Sequence, residues 1–181
     1  MSFIGAVAPS VRRVLAQYAA DVHLPCLIIG AGNFTVPSVL RSAGFAGTIT
    51  ACDVTLYTSA LGAYLSGWTL EVREREDSPE HLRGLLRTGS PLELTASISL
   101  MMDLRDVWKG DNAFKMRMIE HSREAWDRLM EKTCAKLEAY KAHIGQIDYQ
   151  ARDGFDLLEK SASGHTVIAF KPTYRSENEK L

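Results

Sequence analysis

The uncharged run Leu24-Pro25-Cys26-Leu27-Ile28-Ile29 leads directly into Gly30-Ala31-Gly32. A short, continuous apolar segment closed by glycine is the pattern of a strand covered on both faces, which is how strands lie in parallel sheets. Parallel neighbours cannot be joined by a hairpin, so a crossover should follow. The sequence supplies one. Residues from about Thr35 to Ala43 suit a helix, Gly44 and Gly47 punctuate its end, and Thr48-Ile49-Thr50-Ala51-Cys52-Asp53 is rich in strand formers. This strand–helix–strand unit predicts an α/β fold built on a mainly parallel, Rossmann-like sheet with right-handed crossovers.

Around that unit, Val11, Val14, Leu15 and Tyr18 recur at helical spacing and predict a first helix from Pro9 to Ala20. Leu56 to Leu65 suits another helix, Trp68 to Val72 a short extended piece, and the charged run Arg73 to Asp77 a solvated loop. From Ser78 to His143 the pattern is almost wholly helical, with breaks at Gly89-Ser90-Pro91 and Lys109-Gly110-Asp111-Asn112. Its last part reads as one long helix capped by Asp111 or Asn112, with Phe114, Met118, Ala125, Leu129, Leu137 and Tyr140 along one stripe. Alternation resumes with a strand at Gln146 to Gln150, a helix from Gly154 to Lys160, and a fourth strand from His165 to Phe170. The expectation is a single domain over residues 1–181 with a helical insertion at about 78–143.

The 181 residues are 46% hydrophobic, enough for a core without disulfides or structural metal. With 21 Lys and Arg against 22 Asp and Glu, no global basic field marks a nucleic-acid binder, so any DNA contact has to be local. Cys26, Cys52 and Cys134 form no C-x-x-C pair and read as small core residues in a reducing compartment. His81, His121, His143 and His165 lack ligand spacing, and no metal is assigned. No apolar run approaches the ~20 residues that span a bilayer and no secretory leader is evident, so a cytoplasmic location without membrane contact is expected. In the helical block, Lys115, Arg117, Arg123, Arg128, Lys132, Lys136 and Lys141 interleave with Glu120, Glu124, Asp127, Glu131 and Glu138. That favours a salt-laced solvent face over a phosphate track. Trp108 and Trp126 read as core or interface anchors in preference to base-stacking platforms.

The chemistry starts at Gly30-Ala31-Gly32, where absent side chains let a ligand approach the backbone. Asp53, at the end of the second strand, stands where an acid can accept hydrogen bonds from ribose hydroxyls. The dinucleotide fingerprint G-x-G-x-x-G fails because Thr35 occupies the place of its last glycine, after Asn33-Phe34. S-adenosylmethionine has no phosphates and needs no phosphate cradle, so the turn leans toward a methyl donor and away from a nicotinamide. Asp153, ahead of Gly154-Phe155, follows the third strand and either meets the adenine amine of a cofactor or caps the next helix. The two roles are compatible. Lys171-Pro172-Thr173-Tyr174 follows the strand that should neighbour the first, where a target base would be presented and Tyr174 could stack on it. Spacing alone reads it as the start of a loop.

Taken in order, Ile4 to Tyr18, Leu27 to Phe34, Ile49 to Asp53, Asp153-Gly154-Phe155 and Phe170 to Tyr174 resemble the motifs of adenine-specific DNA methyltransferases. Together with Ser59 to Gly67 and Pro79 to Gly84, they are similar to the antirestriction adenine methyltransferases of phages and mobile elements, over nearly the whole chain. The resemblance implies S-adenosylmethionine as cofactor and DNA as partner. It implies that Gly30, Ala31, Gly32, Asn33 and Phe34 line the methionine side, Asp53 binds the ribose, and Asp153, Gly154 and Phe155 flank the adenine. Lys171, Pro172 and Tyr174 would form the catalytic motif that holds the target base.

That motif usually reads Asp/Asn/Ser-Pro-Pro-aromatic, its first side chain accepting hydrogen bonds from the amine to be methylated. Here Lys171 takes the acceptor position and Thr173 the second proline. An ammonium offers three donors and no acceptor, which puts turnover by this chain in question. The chain also ends at Leu181, soon after the fourth strand, where the family it resembles continues into further strands. An incomplete sheet with an exposed edge is therefore expected, to be covered by an oligomer or by a further C-terminal segment.

Overall fold

The computed structural model describes residues 7–108, 112–161 and 163–169. Strands β1 (Cys26–Ile29), β2 (Ile49–Cys52), β3 (Asp148–Gln150) and β4 (Thr166–Ala169) form a four-stranded sheet in the order β3-β2-β1-β4. All three ladders are parallel. Helices α1 (Pro9–Tyr18), α2 (Thr35–Ser42) and α3 (Leu56–Ser66) belong to the first half, and α7 (Gly154–Ser161) joins β3 to β4. Between α3 and β3 come α4 (Pro91–Trp108), α5 (Ala113–Glu124) and α6 (Trp126–Ile144). The α/β fold with a Rossmann-like parallel sheet and an interposed helical block thus follows the sequence pattern. None of the described helices is long and apolar enough to cross a membrane.

The strand order has a functional consequence. The chain steps outward from β1 to β2 to β3 and then returns to β4 on the other side of β1. The switch point lies between β1 and β4, and in open parallel sheets ligands bind at the carboxyl ends of the strands beside such a point. Register brings those ends level: Ile29 pairs with Cys52 on one side and with Ala169 on the other, and Cys52 pairs with Gln150.

Alternate residues of β1 feed two cores, as the period of two requires. Cys26 and Ile28 join the large cluster with Leu40 of α2, Leu61 of α3, Ile98 of α4 and Leu137 of α6. Leu27 joins the smaller one, with Cys52 and Leu157 and the partly buried Ile29 and Leu158. Cys26, Leu27 and Ile28 are fully buried, which explains why β1 reads as an unbroken apolar run. On β4, Val167 is 39% exposed, so the edge strand is covered far less well than its neighbour.

At the amino end of the sheet Arg41 acts as a clamp. Its guanidinium donates to the main-chain carbonyls of Ile144 (2.9 Å), Phe45 (2.7 Å), Gly47 (2.9 Å) and Gln146 (3.4 Å). It thereby ties the turn before β2 to the turn before β3, and lines a cavity of about 430 Å³ with Trp68 and Asp148.

Two expectations need correction. The helix predicted to run without interruption past Asn112 is divided at Ala125 into α5 and α6. Asn112 does cap it, accepting the amide of Lys115 at 2.9 Å. The predicted stripe is not continuous: Phe114 is 66% exposed, while α6 buries Trp126, Met130, Thr133, Leu137 and Ile144, a stripe of its own. The buried indole of Trp126 donates to the carbonyl of Leu85 and anchors the start of α6. Second, the charges of α5 and α6 are solvated and not laced together. Among the described charges of these two helices only Asp127 forms an ion pair, with Arg87 outside them at 3.1 Å. The piece from Trp68 to Val72 joins no sheet, and its Trp68, Leu70 and Val72 lean on the core at alternate positions.

Candidate functional site

The turn after β1 is built from backbone. The amides of Gly30 and Ala31 both donate to the carbonyl of Cys52 at 3.0 Å, so the turn is fastened to the end of β2. Gly30 and Gly32 have φ of 73° and 53°, a region that L side chains rarely adopt. A Cβ placed on Gly32 would meet nothing within 4 Å, so this peptide faces open space. A ligand can lie against it without displacing protein atoms.

Phe34 is the sole described non-glycine residue with positive φ, 59°, a conformation that costs roughly 1–2 kcal/mol. Its ring has no exposed surface and supports the turn from the core side. The hydroxyl of Tyr140 in α6 helps hold this geometry: its one proton lies between the carbonyls of Asn33 and Phe34, each 2.9 Å away, in a shared hydrogen bond. Burial pushes the phenol of Tyr140 up to about 12, so it keeps its proton at neutral pH. The side chain of Asn33 accepts from the amide (3.3 Å) and hydroxyl (2.5 Å) of Thr35 and so caps the start of α2.

Asp53 closes β2 and is half-buried. One carboxylate oxygen accepts the amides of Val54 (2.8 Å) and Thr55 (3.0 Å), and the other accepts the amide of Gly32 at 3.0 Å. A carboxylate has about four acceptor positions, so three backbone donors leave it about one for a ligand hydroxyl. Tyr149 donates to the main-chain carbonyl of the same aspartate at 2.8 Å.

Asp153 is exposed and accepts the amide of Phe155 at 2.7 Å, the capping role at the start of α7. Gly154 sits directly on the end of β1: an added Cβ would lie 2.2 Å from Cγ2 of Ile29. Phe155 is 78% exposed and offers a free aromatic face. The Cys52 thiol, at the end of β2, is fully buried. It is pushed up by burial above all, opposed by the Gly30 amide and reinforced by the charges of Asp53 and Asp153.

The structure therefore brings Gly30, Ala31, Gly32, Asn33, Asp53, Asp153, Gly154 and Phe155 to one edge of the sheet, with Phe34 beneath the turn. Lys171, Pro172 and Tyr174 lie outside the described residues. Two residues given no part in the site from the sequence, Tyr140 and Tyr149, touch its loops directly. Their signal was weak, since tyrosine at a helix or strand position reads first as packing.

The sequence matches the family described as Phage DNA Adenine Methylase-like domain 1 over residues 3–181. The chain belongs to this family. Membership makes it a DNA adenine methylase-like domain of the methyltransferase type, in agreement with its parallel sheet and the glycine turn at the switch point. No curated protein and no solved structure gives a significant match.

Proposed function

We propose that this methylase-like domain binds S-adenosylmethionine at the carboxyl edge of its sheet and methylates the exocyclic amine of adenine in DNA. The observation that carries the reading is the meeting of Asp53 with Gly32 beside the switch point, open on the ligand side. A ribose hydroxyl suits the acceptor position left on Asp53, and the open backbone at Gly32 suits the amino-acid tail. Asp153 and Phe155 are assigned to the adenine ring, the carboxylate as acceptor for its amine and the aromatic face for stacking. The bound cofactor supplies an electrophilic methyl group on sulfonium sulfur. Lys171, Pro172 and Tyr174 are assigned to the target base, with Tyr174 as its stacking partner. The cellular setting that fits is the cytoplasm, and the biological use is protection of the DNA of a mobile element from restriction.

A second reading is favoured by one residue. Lys171 stands where an acceptor is needed, and an ammonium can only donate. A domain of this kind would bind cofactor or DNA without turnover and act by occupancy.

Two measurements decide. Calorimetry of the folded protein with S-adenosylmethionine should give saturable heat, and silence there rejects the methylating reading and the cofactor-binding form of the silent one. Transfer of labelled methyl from the cofactor to unmethylated DNA, against DNA lacking adenine, should then proceed on the first substrate alone. Binding without transfer leaves the silent reading.

A further inference from the structure

Tyr149, in the middle residue position of β3, is 4% exposed, yet it touches both halves of the candidate site. Its hydroxyl donates to the carbonyl of Asp53 at 2.8 Å. That contact uses the only phenolic proton, so the hydroxyl of Ser59, 3.1 Å away in α3, must be the donor in their mutual bond. Its ring lies 5.7 Å from that of Phe34, the residue that ends the glycine turn, at an interplanar angle of 59°. On another side it stacks on Trp68 at 6.3 Å and 9°. The neighbouring helix makes room for it: a Cβ on Gly62 would lie 2.3 Å from ring atoms of Tyr149.

The surroundings thus fix this ring on several sides and aim its hydroxyl at one peptide group. That group belongs to Asp53, whose carboxylate holds the amide of Gly32. We propose that Tyr149 is a positioning residue, setting the spacing between the glycine turn and the Asp53 carboxylate and hence the fit for a nucleoside. The role in affinity rests on the reading of the edge as an S-adenosylmethionine site; the role in spacing does not.

Tyr149→Phe keeps the ring and removes the hydroxyl. In ligand-free protein, amide hydrogen exchange at Gly32, Val54 and Thr55 should quicken by on the order of fivefold, the value of one ordinary hydrogen bond. The amide of Cys26, bonded to Thr48 at the opposite end of β1, should not change. The dissociation constant for S-adenosylmethionine should rise by a similar factor, and Tyr149→Phe added to Asp53→Ala should raise it no further. Unchanged exchange at Gly32, a uniform increase that includes Cys26, or unaltered affinity despite faster local exchange would each overturn the proposal. If the wild-type protein binds no S-adenosylmethionine, the functional reading fails, while the exchange pattern still decides whether Tyr149 sets the spacing.

Discussion

Asp53 and Gly32 are joined by one hydrogen bond, the amide of the glycine donating to the carboxylate at 3.0 Å. The acid that ends β2 therefore also holds the turn that ends β1, and its structural and binding roles share one set of lone pairs. Asp53→Ala removes the acceptor for Gly32, Val54 and Thr55 together. The expected result is a loss of stability on the order of 2 kcal/mol in denaturant unfolding. Affinity for S-adenosylmethionine should fall by about 1.5–3 kcal/mol in calorimetry, the value of a charge-assisted bond. Weakened binding with unchanged stability would mean that the three backbone bonds contribute nothing.

At Gly62, two effects of opposite sign can be weighed. In a helix interior alanine is favoured over glycine by about 1 kcal/mol. Its methyl group, however, would sit 2.3 Å from the ring of Tyr149, which is itself enclosed by Phe34 and Trp68. Overpacking of this kind costs about 1–3 kcal/mol or more, so the clash outweighs the propensity. Gly62→Ala should lower the urea midpoint, and a second change of Tyr149 to Leu should recover part of the loss. A raised midpoint in the single variant would contradict this packing.

The scaffold was legible where one residue pattern had one structural meaning. Cys26-Leu27-Ile28 is covered on both faces, so β1 and its glycine turn could be read directly, and with them α2, β2 and Asp53. The break at Ala125 could not. Alanine is the best helix former, and the chain turns there because Trp126 is fixed to Leu85, forty-one positions away in sequence. The same limit hid the inner side of the site. Nothing local to Tyr149 or Tyr140 says that their hydroxyls reach the carbonyls of Asp53 and of Asn33 and Phe34, because those partners are assembled by the fold. The resemblance to adenine methyltransferases implied Phe34 on the methionine side of a cofactor; its ring has no exposed surface, so any contact there falls to its backbone.

Alkaline pH should loosen this inner side. Burial pushes the phenols of Tyr140 and Tyr149 from 10.0 up to about 12, and raises Tyr57 as well. Each folded-state value lies above the unfolded one, so the native state holds the protons more tightly. Their contribution is complete below about pH 10 and is lost as pH rises toward 12. Denaturant midpoints should fall across that window, with the tyrosinate absorbance of Tyr140 and Tyr149 rising in step with unfolding. The slope should flatten in the double variant Tyr140→Phe, Tyr149→Phe. Because exposed tyrosines such as Tyr18 also absorb, the signal of this pair is the difference between the wild type and the double variant; a difference that develops near pH 10 without loss of structure would show that these phenols are not buried donors.

Turnover itself hinges on a different group. An amine that is to accept a methyl group needs its hydrogens held by acceptors, so that its lone pair is free to point at the carbon. The ammonium of Lys171 offers no acceptor, whereas a carboxylate at the same position offers two oxygens. Lys171→Asp should therefore raise methyl transfer to unmethylated DNA, by about tenfold or more if one charge-assisted hydrogen bond is gained in the transition state. The KM for S-adenosylmethionine should stay the same, because the cofactor is assigned to β1, β2 and α7 and the change follows β4. Two controls separate the causes of failure. Lys171→Ala tests whether removing the positive charge suffices, and the calorimetric affinity of Lys171→Asp shows whether the cofactor site is intact. Intact cofactor binding with no gain in transfer would place the target amine against some group other than residue 171.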